Sequence, residues 1–147
     1  MKYKLIFIVS LTLTFLFSSH AGNTDNILTI PEKTGYTSTS RLADVVEFVK
    51  TLQIKFPNNI KILNLTTSTE GREIPLIFLG NPIPESPNDL INDKRIVVYF
   101  QANIHAGEVE GKEAVQMLMR DILLKKTDNY LKNILLIICP VFNVDGN

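Results

Sequence analysis

The stretch from Arg95 through Ala114 carries an imidazole and a carboxylate three residues apart, His105-Ala-Gly-Glu108, directly after an apolar run. A neutral imidazole nitrogen and a carboxylate oxygen are both good zinc donors, and three-residue spacing across one turn lets the two side chains point to the same side. The chemistry open to such a pair is the holding of a metal ion. Gly107, between them, permits backbone conformations that an ordinary residue resists. The competing reading is a surface pair, with Glu108 favoured by the positive end of a helix that starts there. A bare His-x-x-Glu does not separate the two readings, so the surrounding elements have to.

Two nearly continuous apolar runs flank the pair, Arg95 to Gln101 and Ile134 to Cys139, and both read as strands covered on both faces. Between them Glu110 to Lys126 sets Ala114, Met117, Leu118 and Ile122, with Met119, at helical spacing, and Lys125 and Lys126 suit a helix C-terminus. A strand, a helix and a second strand normally form a right-handed parallel crossover. The expected fold is therefore α/β, a three-layer α/β/α arrangement around a mixed, mainly parallel central sheet. Open sheets of this kind bind ligands at the carboxyl ends of their strands, where His105 and Glu108 follow.

Upstream, Leu42, Val45, Val46, Val49 and Leu52 share one helical face, with Ser40 as a suitable N-cap and Pro57 as a stop. Ile60 to Leu65 and Ile74 to Leu79 read as neighbouring strands around a turn at 69 to 72. Gly80 to Asp93, with Pro82, Pro84 and Pro87, reads as a loop. Residues 22–39 are expected to be an extended lead-in and 40–147 the folded domain.

The first 21 residues combine Lys2 and Lys4, an apolar run from Leu5 to Phe17, and Ser19 and Ala21 before a cut after Ala21. They read as a secretory signal peptide, which implies a secreted or periplasmic protein. The run is shorter than the roughly 20 residues a membrane span needs, so no stable membrane anchor is expected. The chain has 15 basic and 15 acidic residues, and losing Lys2 and Lys4 leaves a charge of about −2. Without a Lys/Arg-rich block, nucleic acid is excluded as a partner class. Cys139 is the single cysteine, so no intramolecular disulfide forms, and at the end of an apolar strand it reads as a packed thiol.

Three stretches in order resemble the zinc carboxypeptidases of the carboxypeptidase A type, the M14 metallopeptidases. His105-Ala-Gly-Glu108-Val-Glu-Gly-Lys-Glu-Ala is similar to that family's first metal motif. Thr69-Glu-Gly-Arg-Glu-Ile-Pro-Leu resembles its Glu-Gly-Arg segment, and Pro140-Val-Phe-Asn-Val-Asp-Gly146 its Asn-Pro-Asp-Gly turn. The resemblance covers residues 36–147. It implies one Zn²⁺ held by two histidines and a glutamate, with His105 and Glu108 as two of these ligands and water in the open position. The implied substrate is a peptide or protein with a free carboxy terminus, gripped by an arginine, and a separate glutamate serves as general base.

The sequence departs from that pattern in several places. His20, the other histidine, falls in the expected signal peptide. The family's remaining histidine, its arginine, tyrosine and catalytic glutamate follow the Asn-Pro-Asp-Gly turn, and this chain stops one residue after it. It is therefore expected to be an amino-terminal piece with no catalytic residue of its own. Val144 replaces the turn's proline, and Ala106-Gly107 lies where some members carry an arginine. Arg72 is expected to be tied to a nearby carboxylate, and Asp145 to be a turn residue. A related zinc amidase or deacylase, or a non-catalytic remnant, remains an open alternative.

Overall fold

A computed structural model describes residues 26–85, 87–125 and 130–147. The expected signal peptide lies outside them. Among the described residues no helix is long and apolar enough to cross a membrane.

The stretch expected to be extended holds a one-turn helix, α1 (Ile30–Lys33). Its signal is local: the Glu32 carboxylate accepts from Thr29 N at 2.8 Å, Thr29 Oγ1 accepts from Glu32 N at 3.4 Å, and Pro31 stands in the first turn. That is a capping box. Helix α2 (Leu42–Lys55) follows, burying Val45, Phe48, Val49 and Leu52. Its N-cap is Arg41, whose N–H donates to Asp44, one residue later than the expected Ser40.

Four strands form one sheet: β1 (Ile60–Thr67), β2 (Glu73–Leu79), β3 (Ile96–Gln101) and β4 (Ile134–Cys139), in the order β1-β2-β4-β3. β1 with β2 and β2 with β4 are antiparallel. β3 and β4 are parallel, joined as expected through a helix, α4 (Glu110–Leu123). The α/β class and the mixed sheet follow the sequence reading, and one of the three pairings is parallel. The loop expected over 80–93 contains a six-residue helix, α3 (Pro87–Asn92), which opens on a proline, the residue best suited to a first helical position.

The core lies on one face of the sheet, where Ile77, Leu79, Leu136 and Ile138 meet Val45 and Leu52 of α2 and Met119 of α4. β4 is central and almost fully buried, as its apolar run implies. β3 has the same kind of sequence but is an edge strand among the described residues, with Ile96, Val97, Tyr99 and Phe100 exposed. Leu63, Val97 and Tyr99 share the sheet face opposite the core, so one of the expected covering layers is not supplied there by the described residues. Apolar composition shows what a strand can tolerate beside it and not what stands there.

Helix α4 differs most from expectation. Ala114 is exposed and Met117 and Leu118 half-buried, while Lys112, Glu113, Gln116 and Arg120 turn inward beside Val115, Met119 and Ile122. Most of their partners come from residues 27–40. Arg120 Nη1 donates to Ile27 O at 3.1 Å and pairs with Glu32 at 2.5 Å. Lys112 Nζ donates to Ser40 O at 2.5 Å, and Glu113 takes the Ser40 N–H and hydroxyl. A buried polar face is tolerated when its groups find partners; here Gln116 Oε1 alone among the described buried side-chain atoms has none, and the rest of the face selects its own segment of chain.

At the entry to β3, Arg95 grips Asp93 through Nε at 2.9 Å and Nη2 at 2.5 Å. The Arg95 side-chain hydrogen bonds hold the Asp93 carboxyl at about 2, down from 3.8. Because the folded value is the lower one, the stabilisation is in full force above 3.8 and is lost as pH falls through about 2. Asp93→Asn is therefore expected to lower stability at neutral pH and flatten its decline between those values, measured as urea midpoints against pH.

Candidate metal centre

The parallel pair β3 and β4 ends with both carboxyl termini at the same edge, and the backbone beyond them stays paired. Ala102 N donates to Cys139 O at 2.9 Å, Phe142 N to Ala102 O at 3.0 Å, and Asn143 N to Asn103 O at 3.0 Å. The loop after β3 is thus strapped to the loop after β4. Between them sits Asn103, 3% exposed and at φ 50°, in the left-handed region that asparagine tolerates better than most residues. Its Nδ2 faces the carbonyls of His105 at 3.1 Å, Ala106 at 3.3 Å and Glu108 at 3.2 Å, and its Oδ1 accepts from Asn147 Nδ2 at 2.9 Å.

On this loop His105 Nδ1 lies 2.9 Å from Glu108 Oε1, with the side chains 78% and 62% exposed. The hydrogen bond from the His105 ring holds the Glu108 carboxyl below its ordinary range. Gly107 does not use the backbone freedom it has. It has no left-handed φ, and a Cβ there would meet nothing within 4 Å; the strained position is Asn103 instead. Gly111 does matter for space, because its Cβ would come within 3.1 Å of the Ala102 Cβ where α4 crosses the end of β3.

The β1–β2 turn reaches the same region. Gly71 at φ 81° shapes it, and Ser68 Oγ donates to Asp145 Oδ1 at 2.7 Å while Glu70 N donates to Oδ2 at 3.2 Å. Arg72 Nη1 adds a contact to Asp145 at 2.7 Å and to Glu70 at 2.5 Å, so the arginine is tied to carboxylates as expected. The Ser68 hydroxyl, followed by Arg72, keeps the Asp145 carboxyl below the usual range. Both Asp145 oxygens are engaged by this turn, which makes the residue an anchor. Asn143 Oδ1 accepts from Gly146 N at 3.0 Å and closes the second turn without a proline. The three motif stretches, far apart in sequence, therefore meet at one edge of the sheet.

The His105–Glu108 pair fits a metal. Ligand atoms about 2.0–2.1 Å from a tetrahedral zinc lie about 3.3–3.4 Å from each other, so the pair needs to part by only about half an ångström from its present hydrogen bond. Among the described residues no group of three His, Cys, Asp or Glu side chains could hold a metal ion, so a zinc held by this pair would draw its further ligands from elsewhere. Cys139 is not one of them: it is fully buried, and burial pushes its thiol up to about 11, where it stays protonated and packs as a small apolar group.

A family model described as zinc carboxypeptidase matches residues 45–147, which takes in all three loops. The chain belongs to the zinc carboxypeptidase family. Its structure is similar to carboxypeptidase A from Helicoverpa armigera, with 24% identity and a TM-score of 0.63 over 74% of this chain and 25% of that one. It is also similar to a metallo-carboxypeptidase from Burkholderia cenocepacia, at 21% identity and a TM-score of 0.57, over 71% of this chain and 27% of the other. A third likeness is to bovine thrombin-activatable fibrinolysis inhibitor, solved in complex with tick carboxypeptidase inhibitor, at 17% identity and a TM-score of 0.60, over 74% and 32% of the two chains. These likenesses show a shared carboxypeptidase fold. This zinc carboxypeptidase chain spans about a quarter to a third of the length of the solved structures it matches.

Proposed function

We propose that the whole protein is a zinc metallocarboxypeptidase that releases carboxy-terminal residues from peptides or proteins, with His105 and Glu108 as two ligands of one Zn²⁺. The observation that carries this is the 2.9 Å pairing of His105 Nδ1 with Glu108 Oε1 at the carboxyl end of the parallel strand pair, inside the stretch matched by the family model. Zinc, when bound, supplies an acidified water and polarises the scissile carbonyl. Within this chain His105 offers a ring nitrogen and Glu108 a carboxylate already inclined to its ionised form, as a ligand must be. The two stand in solvent at the sheet edge, open to a peptide end. The third ligand, the general base and the group that grips the terminal carboxylate are assigned to residues outside those described. The leader-like residues 1–21 support a secreted or periplasmic location.

The test compares peptides with free and amidated carboxyl ends, using the intact protein before and after chelation. Hydrolysis is expected only of the free-ended peptide, abolished by chelator and restored by added zinc. Equal cleavage of the amidated peptide would instead assign the protein to amide hydrolysis without carboxylate recognition, as in a zinc amidase or deacylase.

A further inference from the structure

We infer that Asn103 is a positioning residue for the zinc ligands, acting through the backbone of the loop that carries them, and that Asn147 holds Asn103 in that role. This rests on the zinc reading of His105 and Glu108. Both ligand side chains stand mostly in solvent, so core packing does not orient them. Their orientation comes from the loop backbone, and three of its carbonyls, those of residues 105, 106 and 108, converge on one buried amide. Turning these carbonyls inward turns the side chains of His105 and Glu108 outward together.

Asn103 meets two demands at once. Its backbone must sit at φ 50°, which glycine and asparagine accept, and its side chain must present donors to a ring of acceptors. Glycine meets only the first demand. Aspartate tolerates the backbone but would face three carbonyls with acceptors alone. On the far side, Asn147 Nδ2 fixes the orientation of the Asn103 amide by donating to Oδ1, and so defines which end faces the loop. Outer-shell partners of this kind typically hold about 10- to 100-fold in metal affinity.

The experiment uses the intact protein and the variants Asn103→Gly, Asn103→Asp and Asn147→Ala. Zinc affinity is measured by chelator competition, and hydrogen exchange of the amides at 104–109 is followed in the metal-free protein. Asn103→Gly and Asn103→Asp are expected to weaken zinc by about 10- to 100-fold. Exchange at 104–109 should quicken while the amides of α2 and β4 keep their protection, with a smaller change for Asn147→Ala. A purely structural role would instead loosen α2 and β4 along with the loop and would overturn the inference. So would wild-type zinc affinity and loop exchange in Asn103→Gly. If the wild-type protein itself takes up no zinc, the zinc reading fails first, an outcome distinguishable because no variant is needed to see it.

Discussion

Glu108→Ala in the intact protein is expected to lower zinc affinity by at least about 100-fold, since even outer-shell partners of a metal site cost 10- to 100-fold when removed. His105→Ala should do the same, and the double variant should lose much less than the product of the two, because either single change already leaves a lone ligand from this loop. Glu108→Gln separates the contributions: it keeps the shape and one oxygen but removes the charge that the His105 hydrogen bond now favours. Its affinity should fall between wild type and Glu108→Ala. Zinc competition titrations provide the measurement, with thermal melts of the metal-free proteins as the control. Both side chains are largely exposed, so those melts should hardly move. This opposes the two readings of the pair directly: a mere surface pair would leave zinc affinity unchanged in all the variants.

Much of what leads to that site is legible in the residues. The apolar runs over 96–101 and 134–139 mark two strands, the helical spacing between them forces a crossover, and the carboxyl ends of a parallel pair are where ligand-binding loops belong. Arg72 is tied to carboxylates, as its turn implies, and His105 and Glu108 lie in the loop between β3 and α4. Three features escape such a reading, each for a physical reason. Whether β3 is central or at an edge depends on neighbours that strand composition does not name. The inward polar face of α4 opposes the usual apolar stripe, because its stabilisation comes from residues about 70 positions away in sequence, Thr39 and Ser40. Asn103 lacks a motif of its own. Its one sequence cue is an asparagine directly after a strand, where a left-handed residue can turn the chain, and glycine at 107 is the more conspicuous candidate.

The polar face of α4 carries the largest expected effect on stability. Glu113 accepts from Thr39 Oγ1 and Ser40 N at 2.6 Å each, from Ser40 Oγ at 2.8 Å and from Gln116 Nε2 at 3.1 Å. Beside it Lys112 is buried with its ammonium on Ser40 O, and burial draws its pKa below the ordinary lysine value while the Glu113 charge opposes that shift. Glu113→Ala removes the acceptor shared by Thr39, Ser40 and Gln116 and leaves several buried donors short of a partner, so a loss of about 3–5 kcal/mol is expected, at about 1–3 kcal/mol for each buried group left unsatisfied. Glu113→Gln restores some acceptor capacity but none of the charge, and about 1–3 kcal/mol should go. Urea midpoints, with the slope of the transition unchanged, give both values. The consequence for the site is geometric. Glu113 lies in the first turn of α4, which begins two residues after Glu108, so the clamp on Ser40 also fixes where that helix starts. Zinc affinity measured under conditions where Glu113→Gln remains folded should therefore fall, but less than in Asn103→Gly, which acts on the ligand loop itself. A midpoint for Glu113→Ala within about 0.5 kcal/mol of wild type would mean that water replaces the carboxylate, and that α4 is held by its apolar contacts alone.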